Sequence, residues 1–503
     1  MDKAALTPPS VAQELESLIR SRAPLIVIQT RDESRVLELL MSMALRVSQR
    51  MAQPIFQWKI TEGLRRLDID LGDPQVHNSE PPEVLKSIRA TTKGGVYVLL
   101  DFHPYINDPM HVRLIKDICL GYDRTPRTLI FISHDCPMPP ELQSFVAQFD
   151  LALPNPLERR KLVEDVANEW SKANDGRRVR TDQQALELLI DNLAGLSVAD
   201  TERLARKAIF DDGAITASDI PTLTRAKHQL LNRGGVLGFE ADSRHLVDLG
   251  GMNRLKQWLK SRIPAISGTG PLPDVPRGML LLGVQGCSKS LAARVTAGIL
   301  GVPLLRLDVG SLYNKFIGES ERTVRETLAT AEACAPCVLW FDEIEKGFGG
   351  DAHDSGTSQR VLATFLTWLA EKRSRVFVVA TANDITALPP EMVRKGRFDE
   401  IFFVDLPSQA VRADILKIHT SKRNLTMNDS MLTALGHASE GFSGAELEQA
   451  IVSALYTAHA AQQPCTAGHV LAEIKATRPL SVVMAERIAS LRQWAEGRTV
   501  PAD

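Results

Sequence analysis

The sequence predicts an α/β protein of two tandem modules, each a parallel-sheet subdomain followed by a helical lid, with a phosphate-binding loop in the second alone. Three observations carry this reading. Short apolar runs alternate with helix-patterned segments in both halves, as in sheets whose strands are joined by crossover helices. Local sequence in the first half returns in the same order about 240–250 residues later. In the second half, an apolar run enters the loop Gly283-Val-Gln-Gly-Cys-Ser-Lys289-Ser290, and a helix-forming segment follows.

In the first half, the strand-like runs are Pro24 to Gln29, Ile55 to Ile60, Val96 to Asp101 and Thr128 to Ser133. Between them, residues 33–49, 82–90 and 111–120 have helical spacing. Residues 156–228 read as helical throughout, and Gly234 to Gly238 reads as a linker. The expected boundaries are a sheet subdomain at 1–155, its lid at 156–232 and a linker at 233–246. A second sheet subdomain at 247–407, its lid at 408–478 and a tail at 479–503 follow. The echoes pair Met138-Pro-Pro-Glu-Leu with Leu388-Pro-Pro-Glu-Met, Gly195-Leu-Ser with Gly441-Phe-Ser, and Val98-Leu-Leu-Asp101 with Leu339-Trp-Phe-Asp342.

The copies differ where chemistry would sit. The first continues its opening strand with Gln29-Thr-Arg-Asp-Glu-Ser-Arg, without glycine or lysine, and has no arginine between Glu141 and Phe149. It is therefore expected to be a degenerate, structural or partner-binding copy. With 503 residues, 44% hydrophobic and 24% charged, the chain can bury several cores. Its net charge of −2, without a lysine- or arginine-rich run, gives no electrostatic case for nucleic acid or anionic membrane. Six scattered cysteines and the lack of an apolar leader or span point to a reducing, cytoplasmic setting. Cys334 and Cys337 read as small buried residues rather than a redox pair.

In the second module, the loop glycines let backbone N–H groups approach a polyphosphate, and the helix N-terminus adds partial positive charge. The loop comprises Gly283, Val284, Gln285, Gly286, Cys287, Ser288, Lys289, Ser290 and Leu291. Lys289 is expected to reach the terminal phosphates and Ser290 to ligate Mg²⁺. Ser288 stands where glycine is usual, so its Cβ would crowd a backbone needing positive φ. An apolar strand ends in Asp342 and Glu343, read respectively as Mg²⁺ holder and water polariser. A second strand ends in Asn383, positioned to orient that water. Arg394 and Arg397 read either as a basic surface turn or as arginine fingers acting on a neighbouring copy.

These motifs resemble the AAA clade of AAA+ ATPases over residues 247–477, with Asn383 in the sensor 1 position and Arg394 and Arg397 as the paired fingers. The resemblance implies that Asp248, Leu249 and Gly250 border the adenine, that Gly444 and Ala445 flank the nucleotide, and that Phe316, Ile317 and Gly318 face a central pore. The Phe316 pair reads either as a polypeptide grip or as local packing. The whole chain resembles the Ycf-forty-six type AAA+ family, through Leu339 to Lys346, Ser355 to Leu362 and the tail from Pro479 to Ala495. That family implies ATP and Mg²⁺ as cofactors and a homo-oligomeric ring, a hexamer being the expected size. The leading expectation is an ATPase remodelling an unidentified protein partner, without nucleic acid or membrane. The alternative is a nucleotide-gated scaffold with little turnover. Ile488, Leu491 and Trp494, at helical spacing in the tail, read as a clamp.

Overall fold

The computed structural model describes residues 11–30, 32–47, 53–67, 78–231, 236–240, 249–268, 274–312, 319–348, 355–394 and 396–503. By its internal contacts the chain divides into two compact units, residues 1–162 with 197–203 and residues 163–196 with 204–503.

Among the described residues, the first unit holds six strands: β1 (Leu25–Gln29), β2 (Ile55–Lys59), β3 (Gly63–Arg66), β4 (Gly95–Leu100), β5 (Arg127–Ser133) and β6 (Val146–Phe149). They form one sheet in the order β3-β2-β4-β5-β1-β6. Only the β2–β3 pair, an edge hairpin, is antiparallel. β1 is apolar without alternation because both faces of a parallel sheet are covered. Leu25 and Val27 enter the core layer containing Phe131 and Ile115, while Ile26 and Ile28 enter the opposite layer with Val36 and Leu40.

In the second unit, a helical segment carries a two-stranded ladder of β7 (Arg180–Thr181) and β8 (Ala214–Ile215). The main sheet contains β9 (Leu237–Glu240), β10 (Gly278–Gly283), β11 (Leu304–Leu307), β12 (Cys337–Phe341), β13 (Val376–Ala382), β14 (Glu400–Val404) and β15 (Val500–Pro501). Its order is β15-β14-β10-β13-β12-β11-β9. β9 lies within the stretch read as linker; its backbone pairs antiparallel with β11 and closes that edge. β15 brings the tail back to the sheet, with Phe402 opposite Val500.

Along β10, Leu280 and Leu282 pack toward Val361 and Phe365, whereas Met279 and Leu281 pack toward Val295, Trp340 and Phe402. This period of two fixes the register, since a slip of one residue would exchange the two layers. Numbered within each unit and leaving aside β15, which adds a sixth parallel strand beyond β14, the parallel strands lie in the spatial order second, third, fourth, first, fifth in both sheets. The central first strand is where chain direction across the sheet reverses, so a crevice opens beyond its C-terminal end.

One echo needs correction. Gly95 N donates to Pro126 O as Cys337 N donates to Arg375 O, opening the equivalent strand pairs. Counting onward, Asp101 falls at the position of Glu343 rather than Asp342, and both have φ of +49°. The two conformations match where the letters alone suggested a one-residue shift. None of the described helices is long and apolar enough to cross a membrane.

Candidate nucleotide site

The site lies at the C-terminal ends of β10, β12 and β13, with the helix Lys289–Leu300 leaving the loop. β10 ends at Gly283, and Val284 N donates to Val404 O at 3.1 Å, tying the loop's first residue to β14. Gly286 has φ of +80°, and a Cβ there would stand 2.9 Å from Ser443 Oγ. Its carbonyl accepts from Ala445 N at 3.1 Å, joining the loop to the start of the helix Gly444–Ala460. Ser443 caps that helix in a reciprocal pair with Glu446. Gly444 and Ala445 therefore stand against the loop.

Ser288 adopts φ of +61°, the left-handed conformation in which the sequence anticipated crowding. Lys289 is buried, and its ammonium donates to Gly283 O and Val284 O, each at 2.8 Å. Burial pulls its pKa down to about 8, while nearby Cys287, Glu345, Glu343 and Asp342 act in the opposite sense. The loop carbonyls thus hold a charge that a polyphosphate would stabilise far better.

Beside it, Ser290 Oγ donates to Asp342 Oδ1 at 3.1 Å. Thr381 Oγ1 donates to the same carboxylate oxygen at 2.9 Å and accepts from Glu343 N at 3.0 Å. Asn383 Nδ2 donates to Glu343 Oε1 at 2.9 Å, and Asn383 N donates to Glu345 Oε1 at 2.9 Å. Lys289, Ser290, Asp342, Glu343 and Asn383 therefore converge. Thr381, Glu345 and Arg306, whose Nη2 lies 3.4 Å from Asp342 Oδ2, escaped the sequence reading. Thr381 was detectable as the only hydroxyl in the strand Val376–Ala382. Lys346 pairs with the second Glu343 oxygen. Ser290 and Asp342 form a hard-oxygen donor set that fits Mg²⁺.

Next to the loop is a cavity of about 310 Å³ lined by Gly250, Met252, Ser288, Ile415, Gly444 and the tail residues Pro501 to Asp503. Asp503 Oδ1 accepts from Asn253 N at 3.1 Å and from Asn253 Nδ2 at 3.0 Å. Leu249 is buried beside this cavity's core layer; Asp248 lies outside the described residues, as do Phe316, Ile317 and Gly318. The tail helix Ala485–Ala495 packs on the second unit's own body through Ile488, Leu491 and Trp494.

Arg394 and Arg397 lie away from this cluster. Arg397 Nη1 donates to Leu366 O at 2.6 Å, and Arg394 is exposed. Asp399 holds their turn to the opposite end of β10, accepting from Arg277 N at 2.8 Å and Gly278 N at 3.0 Å. At about 3.3 Å per residue, β10 separates that turn from the loop by about 17 Å. Cys334 and Cys337 are held protonated by burial, which raises both thiols and suppresses the reactive thiolate.

Three family models match consecutive stretches: the N-terminal domain of SpoVK-like AAA ATPases over residues 11–151, their second domain over 157–234, and the ATPase family associated with various cellular activities over 279–406. The uncharacterized AAA domain-containing protein ycf46 of Pyropia yezoensis is 35% identical over 97% of this chain and 98% of its own length. The chain belongs to the ycf46-type family of AAA-domain proteins. The ycf46 protein of Guillardia theta is also 35% identical, across 97% of this chain and 95% of its own. The proteasome-activating nucleotidase of Aeropyrum pernix is 40% identical, but over only 37% of this chain and 46% of its own. Family membership supports nucleotide binding of the AAA type, and the region shared with the nucleotidase is a partial match.

Proposed function

We propose that this protein is an Mg²⁺-dependent ATPase that works as a cytoplasmic homo-oligomer and uses hydrolysis to remodel a protein partner. The observation carrying this reading is the convergence of Lys289, Ser290, Asp342, Glu343 and Asn383 at one sheet edge. Lys289 and the loop N–H groups bind the phosphates. Ser290 and Asp342 would hold Mg²⁺, which when bound offsets phosphate charge. Glu343 accepts the proton of an attacking water that Asn383 orients through the same carboxylate. Thr381 holds the Asp342 carboxylate and the Glu343 backbone, and Asn383 holds the Glu343 carboxylate, so both acids are positioned before the reaction. The cavity bordered by Gly250 and Gly444 receives the base and ribose. Arg394 and Arg397, about 17 Å from their own loop along the strand, serve a neighbouring copy. Phe316 and Ile317 remain the proposed grip on a polypeptide.

The first sheet is proposed as a degenerate copy of the same module, with lids at 156–232 and 408–478. Its support is the shared strand order and a connection from first strand to helix of residues 30–32 in place of residues 284–288. A connection so short has no room for a phosphate cradle.

A second reading, an ATP-binding scaffold with little turnover, is favoured by two observations: Lys346 engages Glu343, and Ser288 holds the left-handed turn. Phosphate release by wild type, Glu343→Gln and Arg397→Ala distinguishes them. The motor requires turnover that falls about 100-fold or more in Glu343→Gln, as expected on losing a general base, and falls also in Arg397→Ala. Near-background release from all three, with ATP-dependent assembly retained, would establish the scaffold instead.

A further inference from the structure

We propose that the first unit carries a binding site for a divalent transition metal, Zn²⁺ in class, formed by Asp101, His103 and His134. One ligand atom from each lies within 4.8 Å of the others. Asp101 immediately follows β4, His103 opens the single helical turn His103–Tyr105, and His134 immediately follows β5. The adjoining strand ends, with Leu100 beside Ile132, bring these separated residues together on backbone positions set by the sheet.

The geometry has specific supports. Asp101 Oδ1 stands 3.9 Å from His103 Nδ1, and the two imidazoles meet edge to face with centroids 4.8 Å apart. Ser133 Oγ lies 2.7 Å from His103 Nδ1 and donates to Asp135 O at 3.2 Å. This bond occupies the same nitrogen that stands toward Asp101 and fixes the orientation of the ring, so a metal ligated through Nδ1 would take its place. Tetrahedral Zn²⁺, with bonds of about 2.0–2.1 Å, needs donors about 3.4 Å apart. Asp101 has a 68% exposed side chain and can swing inward without disturbing the core. Two imidazoles and one carboxylate select Zn²⁺ and its first-row neighbours over Mg²⁺ or Ca²⁺, which take mainly oxygen donors.

The positions add an independent argument. From the equivalent openings of the strand pairs, the register aligns Asp101 with Glu343, His103 with Glu345 and His134 with Asn383. The backbone that aims two acids and an amide in one sheet aims one acid and two imidazoles in the other. The sheet edge that lacks a phosphate loop thus retains convergent side chains of altered chemistry. This inference goes beyond the proposed ATPase and does not require turnover.

The test uses tag-free full-length protein without nucleotide, dialysed against Zn²⁺ and, as a coloured substitute, Co²⁺. One equivalent is expected to bind, with visible Co²⁺ bands characteristic of imidazole and oxygen ligation. Asp101→Asn, His103→Ala and His134→Ala should each lose that equivalent. Zn²⁺ should raise the unfolding temperature of wild type but not of the triple variant, whose metal-free unfolding reports whether it folds. No uptake by wild type, equal uptake by a folded triple variant, or equal affinity for Mg²⁺ would each overturn the site. Phosphate release measured separately keeps its failure distinct from failure of the ATPase reading.

Discussion

Nucleotide binding should be coupled to protonation of Lys289 in mildly alkaline solution. Burial lowers the folded-state pKa to about 8 from the usual 10.5. Phosphates arriving beside the ammonium raise it again, so the nucleotide complex holds a proton that free protein loses. The sign for folding is opposite in sense: because the folded pKa is lowered, the unfolded chain binds the proton more tightly. The stability cost is complete below pH 8 and is relieved as pH rises from about 8 to 10.5, amounting to roughly 3 kcal/mol. For binding, a site of pKa about 8 is protonated in about nine molecules of ten at pH 7 and in about one of ten at pH 9. Apparent affinity for a non-hydrolysable ATP analogue should therefore fall about tenfold over that interval, or about 1.4 kcal/mol. Proton uptake should rise from about 0.1 to about 0.9 per site over the same range. Titration calorimetry at each pH, in two buffers of different ionisation enthalpy, measures both quantities. Constant affinity through pH 9 with no buffer-dependent heat would refute the assignment of Lys289 as a buried, phosphate-seeking ammonium.

Three substitutions examine the rest of the site. Thr381→Val removes the hydroxyl shared by Asp342 and Glu343 N; unfolding should show a loss of about 1–3 kcal/mol, as for other unsatisfied buried groups, with reduced phosphate release. Ser288→Gly relieves a left-handed turn that costs a side-chain-bearing residue about 1–2 kcal/mol, so the folded state should be no less stable and nucleotide affinity should be equal or higher by equilibrium titration. Asp503→Ala removes two hydrogen bonds to Asn253 beside the cavity; nucleotide affinity should weaken by about threefold to tenfold, and unchanged affinity would remove the tail from the binding wall.

Much of this arrangement was legible because its cause is local. Apolar runs such as Met279 to Leu282 must be buried on both faces, and the glycines and Lys289 after β10 identify a loop by backbone freedom and charge. Asp342, Glu343 and Asn383 could be placed because each terminates a buried strand. What depended on pairing across the chain was hidden. Leu237–Glu240 reads as a glycine-bounded linker until β11 supplies its hydrogen-bond partner, and Val500–Pro501 has no strand pattern of its own. The cluster of Asp101, His103 and His134 is likewise invisible along the sequence, since only the β4–β5 register joins its members. Asp101 matches Asp342 by letter but Glu343 by backbone, since letters report identity whereas φ reports the turn.

The attachment of the Asp399 turn to Gly278 makes β10 a strut with a donor terminal and a recipient terminal. Should the guanidiniums act between copies, exchange acquires a direction: each molecule gives from one side and receives on the other. Repetition of such a contact closes into a circle when its rotation permits and continues as a filament when it does not. The six residues of β10 then set how far apart the giving and the receiving ends of one molecule stand.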